Sequence, residues 1–171
     1  MYKSVKQILI FCIILFTFES CITVSYSFTG ASIHPKDKTV SIKYFPNRAL
    51  LVNPNLSQQF TEMMKDKFSS QTPLELVNKK GDLHFEGEIT DYKTEPMSIT
   101  QGQTAQTNRL TISIRVVYES LNNEKVNFDK VFTRYADYPS EKTLTEVEDG
   151  LVAEILEQIT EDVFNASVVN W

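Results

Sequence analysis

Cysteine and histidine are scarce in this chain, and basic charge is outnumbered by acidic. Its 171 residues include two cysteines, Cys12 and Cys21, and two histidines, His34 and His84. The histidines stand fifty positions apart, and neither has a partner at motif spacing. Gly-x-Ser-x-Gly, Gly-x-x-x-x-Gly-Lys and His-Glu-x-x-His are all missing, so the common hydrolase, phosphate-loop and zinc-protease chemistries have no sequence support. Lys and Arg number 17 against 22 Asp and Glu, a net charge of −5. That balance argues against nucleic acid as a partner, which would call for a basic stripe. It also gives no general attraction to anionic lipid. No apolar run reaches the roughly 20 residues needed to span a bilayer as a helix.

The longest apolar run is nevertheless informative. Ile8 to Phe18 is eleven residues long, interrupted by Thr17, and follows Lys3 and Lys6. A short cationic region, an apolar core and the small Ser20 before Cys21 read as a targeting signal over 1–20. Phe18 at −3 suits a lipobox, which takes a bulky apolar residue there, better than ordinary secretory cleavage, which prefers a small one. Glu19 at −2 departs from the commonest lipobox. The expectation is therefore a lipoprotein with its lipid on Cys21, the alternatives being plain secretion and an uncleaved anchor. Cys12 then leaves with the signal and Cys21 is acylated, so no intramolecular disulfide forms even in an oxidising compartment. Two acyl chains on Cys21 would hold the protein stably at a membrane. Ile22 at +2 is not the Asp of inner-membrane retention, and Thr23 to Ser27 carry no acidic run. The expected location is the outer membrane, lipid-anchored and facing the periplasm.

Removing 1–20 leaves 151 residues and a net charge of −6. That length suits one domain, able to bury about 68–70% of its unfolded surface. Residues 21–38 read as a lipidated tether and 39–171 as a single domain. Thr39 to Phe45 alternates as a strand, with Val40, Ile42 and Tyr44 on one face. Asn53-Pro54 opens a helix over about 54–70, with Leu56, Phe60, Met63, Met64 and Phe68 at helical spacing. Leu74 to Val77 is a short strand that reads as a hairpin through 78–82 into the strand Leu83 to Lys93. Glu95 to Asn108 is rich in Gln and Thr, has little periodicity and reads as a long loop. Leu110 to Tyr118 and Val126 to Tyr135 pair around a turn at 121–125. From Leu144, apolar residues recur three or four apart to the end, and Thr145 and Glu148 have capping-box spacing. The order β-α-β-β-β-β-α predicts an α+β two-layer sandwich, with two amphipathic helices on one face of a mostly antiparallel sheet of four to five strands.

No catalytic residue, metal site or cofactor emerges from this reading. His84, Glu86 and Glu88 share a strand face, but one strand spreads them over about 13 Å, too far for a single ion, and they read as a solvated face. Lys93 and Arg109 flank the 95–108 loop. If their strands pair, they stand near its base, where Arg109 is suited to bidentate binding of a phosphate or carboxylate. The alternative is that both stay wet. Val131, Thr133 and Tyr135 lie opposite Phe128, Lys130 and Phe132, so both faces of the last strand carry apolar groups. That pattern implies cover from outside the chain.

Several blocks then resemble a known family. Tyr26-Ser27-Phe28-Thr29-Gly30, Tyr44-Phe45-Pro46-Asn47-Arg48-Ala49 and Asn53-Pro54-Asn55-Leu56-Ser57 are similar to a divergent branch of the LptE family of lipopolysaccharide-assembly lipoproteins. The likeness runs on through Gly81 to Ile89, Asn108-Arg109-Leu110-Thr111, Phe132 to Asp137, Val147-Glu148-Asp149 and Asn170-Trp171. The resemblance implies a non-enzymatic outer-membrane lipoprotein that plugs the LptD β-barrel, helps assemble it and assists lipopolysaccharide insertion into the outer leaflet; the two-faced last strand adds the expectation of a one-to-one complex with that barrel. It also implies lipopolysaccharide binding through basic residues, for which Lys93 and Arg109 are the candidates by position. The competing expectation is a generic periplasm-facing lipoprotein that binds another protein or a small ligand.

Overall fold

In the computed structural model, residues 33–51, 53–97 and 106–169 are described. The signal, Cys21, the centre of the 95–108 loop and the Asn170-Trp171 terminus lie outside them. The elements are β1 (Thr39–Ile42), α1 (Leu56–Gln71), β2 (Glu75–Leu76), β3 (Leu83–Met97), β4 (Thr107–Ser120), a 3-10 turn (Glu124–Val126), β5 (Phe128–Pro139) and α2 (Leu144–Val168). They form an α+β fold with a mixed five-stranded sheet ordered β2-β1-β3-β4-β5. Among the described residues, no helix is long and apolar enough to cross a membrane.

Alternation drives the sheet. Leu110, Ile112, Ile114 and Val116 on β4 are fully buried, as are Phe85 and Ile89 on β3. Against them α1 sets Leu56, Phe60, Met64 and Phe68, and α2 sets Ile155, Leu156, Ile159, Val163 and Phe164. Aromatic edges knit the layers: Phe68 meets Phe85 at 4.8 Å and Phe164 at 5.2 Å between ring centroids. At about 25 cal/mol per Å² of apolar area, this burial is the main favourable term among the described residues, which include no cysteine.

The hairpin expected between the second and third strands does not form. β2 pairs in parallel with β1, and β1 in parallel with β3, so β1 lies between the two strands that were to be joined. The 78–82 segment instead crosses over β1, held by Asp82. Its Oδ2 accepts the Lys38 N–H at 2.9 Å, the Thr39 N–H at 3.0 Å and the Thr39 hydroxyl at 2.8 Å. Those bonds keep the Asp82 carboxyl below the usual aspartate range, the Lys38 N–H contributing most.

Three smaller expectations also shift. Side-chain alternation along β1 breaks after Ile42, so Tyr44 turns out to solvent and Phe45 turns in. A bulge in β3 between Ile89 and Asp91 likewise changes the phase, and Tyr92 rather than Asp91 continues the inner face. The capping box at α2 is Thr143 with Glu146, whose Oε2 accepts the Thr143 N–H at 2.7 Å and hydroxyl at 2.8 Å. Thr145 lies inside the helix, and Glu148 is used elsewhere: it accepts from the Tyr92 hydroxyl at 2.5 Å and from Asn53 Nδ2 at 2.8 Å. Tyr92 and Asn53 together thus tie the start of α2 to β3 and to the loop before α1.

Candidate functional site

With both helices on one side, the other face of β3, β4 and β5 is left without a covering layer among the described residues. Pleating puts Glu86, Glu88, Lys93, Arg109, Arg115, Asp129, Tyr135 and Asp137 on it. Lys93 sits opposite Thr111, and Arg109 opposite Glu95 and Asp137. The two candidate cations are therefore diagonal neighbours, about 7–8 Å apart at the backbone. The sheet does bring them together at the base of the 95–108 segment, which is partly strand: β3 continues to Met97 and β4 begins at Thr107.

Each cation already has carboxylate company. Arg109 Nε donates to Asp137 Oδ1 at 2.7 Å and its Nη2 to Oδ2 at 2.9 Å. The same guanidinium lies 3.5 Å from the centre of the Tyr135 ring. Hydrogen bonding from Arg109 holds the Asp137 carboxyl below its ordinary range. Lys93 is held more loosely, 3.4 Å from Glu95 and 4.0 Å from Asp91. Six residues along β4 on the same face, Arg115 grips Asp129 in the same two-pronged way, at 2.8 and 2.5 Å. The face is a lattice of cross-strand ion pairs.

Set into that lattice are Val131, 58% exposed, and Tyr135, 51% exposed. Opposite them Phe128 and Phe132 pack against the core, as the two-faced apolar pattern of the last strand implied. From the helix side, Arg134 bonds Asp162 on α2 at 2.6 and 2.7 Å.

The other polar concentration lies at the start of β3. His84 is buried rather than solvated, at 5% exposure. Its Nδ1 is 2.7 Å from the Ser41 hydroxyl, and its Nε2 is 3.5 Å from Glu86 Oε2, which also takes Lys43 Nζ at 2.6 Å. The bond from Lys43 is the main reason the Glu86 carboxyl sits below its usual range. The order Ser, His, Glu resembles a hydrolase triad, but Ser41 Oγ also accepts the Gly81 N–H at 2.9 Å and is 3% exposed. The hydroxyl so engaged ties β1 to the crossover and to β3. Glu88 stands apart on the open face, and among the described residues no group of three His, Cys, Asp or Glu side chains is placed to hold a metal.

Sequence reasoning missed Asp137 and Tyr135 as the partners of Arg109. The signal was present, because Arg109 and Asp137 are equidistant from Asn123, at the centre of the turn between the paired strands.

The fold is that of a small α+β protein with a polar, ion-paired sheet face and helices on the other side. The profile of the LptE family, described as lipopolysaccharide-assembly, matches residues 38–167, and the chain belongs to that family. Solved structures with a similar arrangement include a minor lipoprotein from Acinetobacter baumannii, at 11% identity over 71% of this chain and 91% of that one, with a TM-score of 0.46. A hypothetical protein from Chlamydia trachomatis has 12% identity over 78% and 99%, with a TM-score of 0.48. Rare lipoprotein B from Shewanella oneidensis has 10% identity over 75% and 90%, with a TM-score of 0.44. No curated protein matches the sequence.

Proposed function

We propose that this protein is a lipid-anchored outer-membrane component of lipopolysaccharide assembly. In this reading it seats inside an LptD-type β-barrel in a one-to-one complex, supports assembly of that barrel and assists lipopolysaccharide insertion into the outer leaflet. The role needs no catalysis. Family membership supplies the process, and the observation that carries the docking is the uncovered face of β4 and β5. There, exposed Val131 and Tyr135 sit among paired charges whose spare hydrogen-bonding capacity suits a polar barrel lumen. Lys93 and Arg109, adjacent on that face, are proposed to meet the phosphates of lipopolysaccharide, with Arg109 exchanging Asp137 for phosphate.

Purification from detergent-solubilised outer membrane tests the docking, and the expected product is a stoichiometric complex with one large β-barrel. Recovery without any barrel would count against it. Depletion separates this role from that of a generic envelope lipoprotein: loss of newly exported surface lipopolysaccharide and a misassembled barrel are expected here, whereas the generic role leaves both intact.

A further inference from the structure

β2 stops at Leu76 while β1 runs on, and the edge of the sheet is notched where they part. The last bond between them is from the Val77 N–H to Val40 O, at 2.9 Å. Further along β1, the Lys43 N–H turns the other way, to Phe85 O on β3, also at 2.9 Å. Successive residues of a central strand direct their backbone groups to its two neighbours in turn. Ile42, two residues on from Val40, therefore presents its N–H on the β2 side, where β2 has ended. That N–H has no hydrogen-bond partner among the described residues, although Ile42 is only 9% exposed. A backbone donor so covered is seldom left unpaired.

A cavity of about 380 Å³ occupies the notch. Its walls carry charge of both signs, delivered from the two sides of the sheet. On the open face, pleating puts Glu86 and Glu119 beside buried His84. Glu86 takes Lys43 and Glu119 takes Lys80, each through Oε2, so the Oε1 atoms of both carboxylates have no hydrogen-bond partner among the described residues. From the helix side comes Lys65 of α1, held by Glu62 at 2.9 Å in an exposed pair that contributes little. Leu76 and Val77 supply an apolar wall where β2 leaves.

Spare donors thus stand on one side of the cavity and spare acceptors on the other. A simple anion would satisfy Lys65 and the Ile42 N–H but meet two carboxylates, and a simple cation would meet three lysines. One molecule that carries both charges matches both walls. The volume is at the small end of ligand pockets, which run from about 300 to 1,000 Å³.

We infer that this notch binds a small zwitterion of the amino-acid class with an apolar side chain. Its carboxylate accepts from the Ile42 N–H and from Lys65, its ammonium donates to Glu86 and Glu119, and its side chain lies against Leu76 and Val77. The notch opens on the edge of the sheet opposite β5, so the inference needs neither the anchor nor the docking in a barrel.

The test follows the backbone amide spectrum of the full mature protein in detergent micelles by NMR during titration with L-leucine. Isocaproate, which lacks the ammonium, and isoamylamine, which lacks the carboxylate, are the controls. Expected are a saturable shift of the Ile42 amide with leucine and binding weaker by at least about tenfold for each control. Lys65→Met should weaken leucine binding by a similar factor, with circular dichroism reporting the fold. Should that variant misfold, Glu119→Gln, whose parent side chain is 44% exposed, supplies the same reading. An Ile42 amide that stays in place at millimolar leucine would overturn the inference. Equal affinity for leucine and isocaproate, or an equal response to inorganic phosphate, would also overturn it, since the notch would then be an anion site only.

Discussion

Arg109 and Asp137 face each other across β4 and β5, and the guanidinium closes on the carboxylate through two hydrogen bonds of 2.7 and 2.9 Å. A phosphate that takes the Nε–Nη2 edge of Arg109 therefore displaces a preformed partner. Hydrogen bonds to charged groups contribute about 1.5–3 kcal/mol. Asp137→Asn is expected to raise lipopolysaccharide affinity by on the order of tenfold. Replacing both Lys93 and Arg109 with Glu is expected to abolish the binding. Titration with purified lipopolysaccharide reads both, and unchanged affinity in the double variant would remove these residues from the site.

The acid limit of the fold follows from its lowered carboxyls. Asp82, Asp129 and Asp137 all titrate below the usual aspartate range in the folded state, chiefly through the Lys38 N–H, Arg115 and Arg109 respectively. A carboxyl whose folded pKa lies below its unfolded value, about 3.9 for Asp, stabilises the fold above that value. The contribution is lost as pH falls through the folded pKa. Melting temperature followed by circular dichroism should hold from neutral pH to about 5 and then drop. Asp82→Asn should melt lower at neutral pH and show a shallower acid loss; a curve parallel to the parent's would refute the assignment.

Gly87 is set by contact rather than by a turn. A Cβ there would stand 2.0 Å from the Arg115 carbonyl oxygen and 2.8 Å from the Phe45 ring. Because the first obstacle is backbone, Gly87→Ala must part β3 from β4, at an expected cost of about 3 kcal/mol. Gly150 in α2 has nothing within 4 Å of the same position. Gly150→Ala should be neutral or stabilising by up to about 1 kcal/mol. Urea denaturation of the two variants gives the comparison, and equal stabilities would show that the sheet can absorb a Cβ at position 87.

Cys21→Ser should release a folded domain from the membrane fraction and remove acylation. Fractionation beside circular dichroism checks both, and a variant that remains acylated and membrane-bound would end the lipobox reading.

Much of the fold was legible because amphipathic period is a local property. The β4–β5 pair, both helices and the two-faced character of β5 could be read from residue spacing. Partner choice between distant segments was less legible. Nothing near Leu74 to Asp82 says that β1 will enter between β2 and β3, since that choice depends on Asp82 meeting the Lys38 and Thr39 N–H groups. His84 looked solvated because alternation assigns it to the outer face, whereas Ser41 and the crossover cover it. The capping box was placed at Thr145 because two candidate boxes stand two residues apart, and only the tertiary use of Glu148 by Tyr92 and Asn53 separates them.

By itself the sequence determined the class of fold, the family and the expectation of an anchor at Cys21, because hydrophobic period and contiguous motifs are written along the chain. Tertiary structure decided which charges are free. It committed Arg109 to Asp137, left Arg48 without a carboxylate partner among the described residues, and buried His84 against Ser41. The physical reason is that pairing energies act over a few ångströms in space between residues that stand tens of positions apart in sequence. Register, bulge and crossover must form before those distances exist.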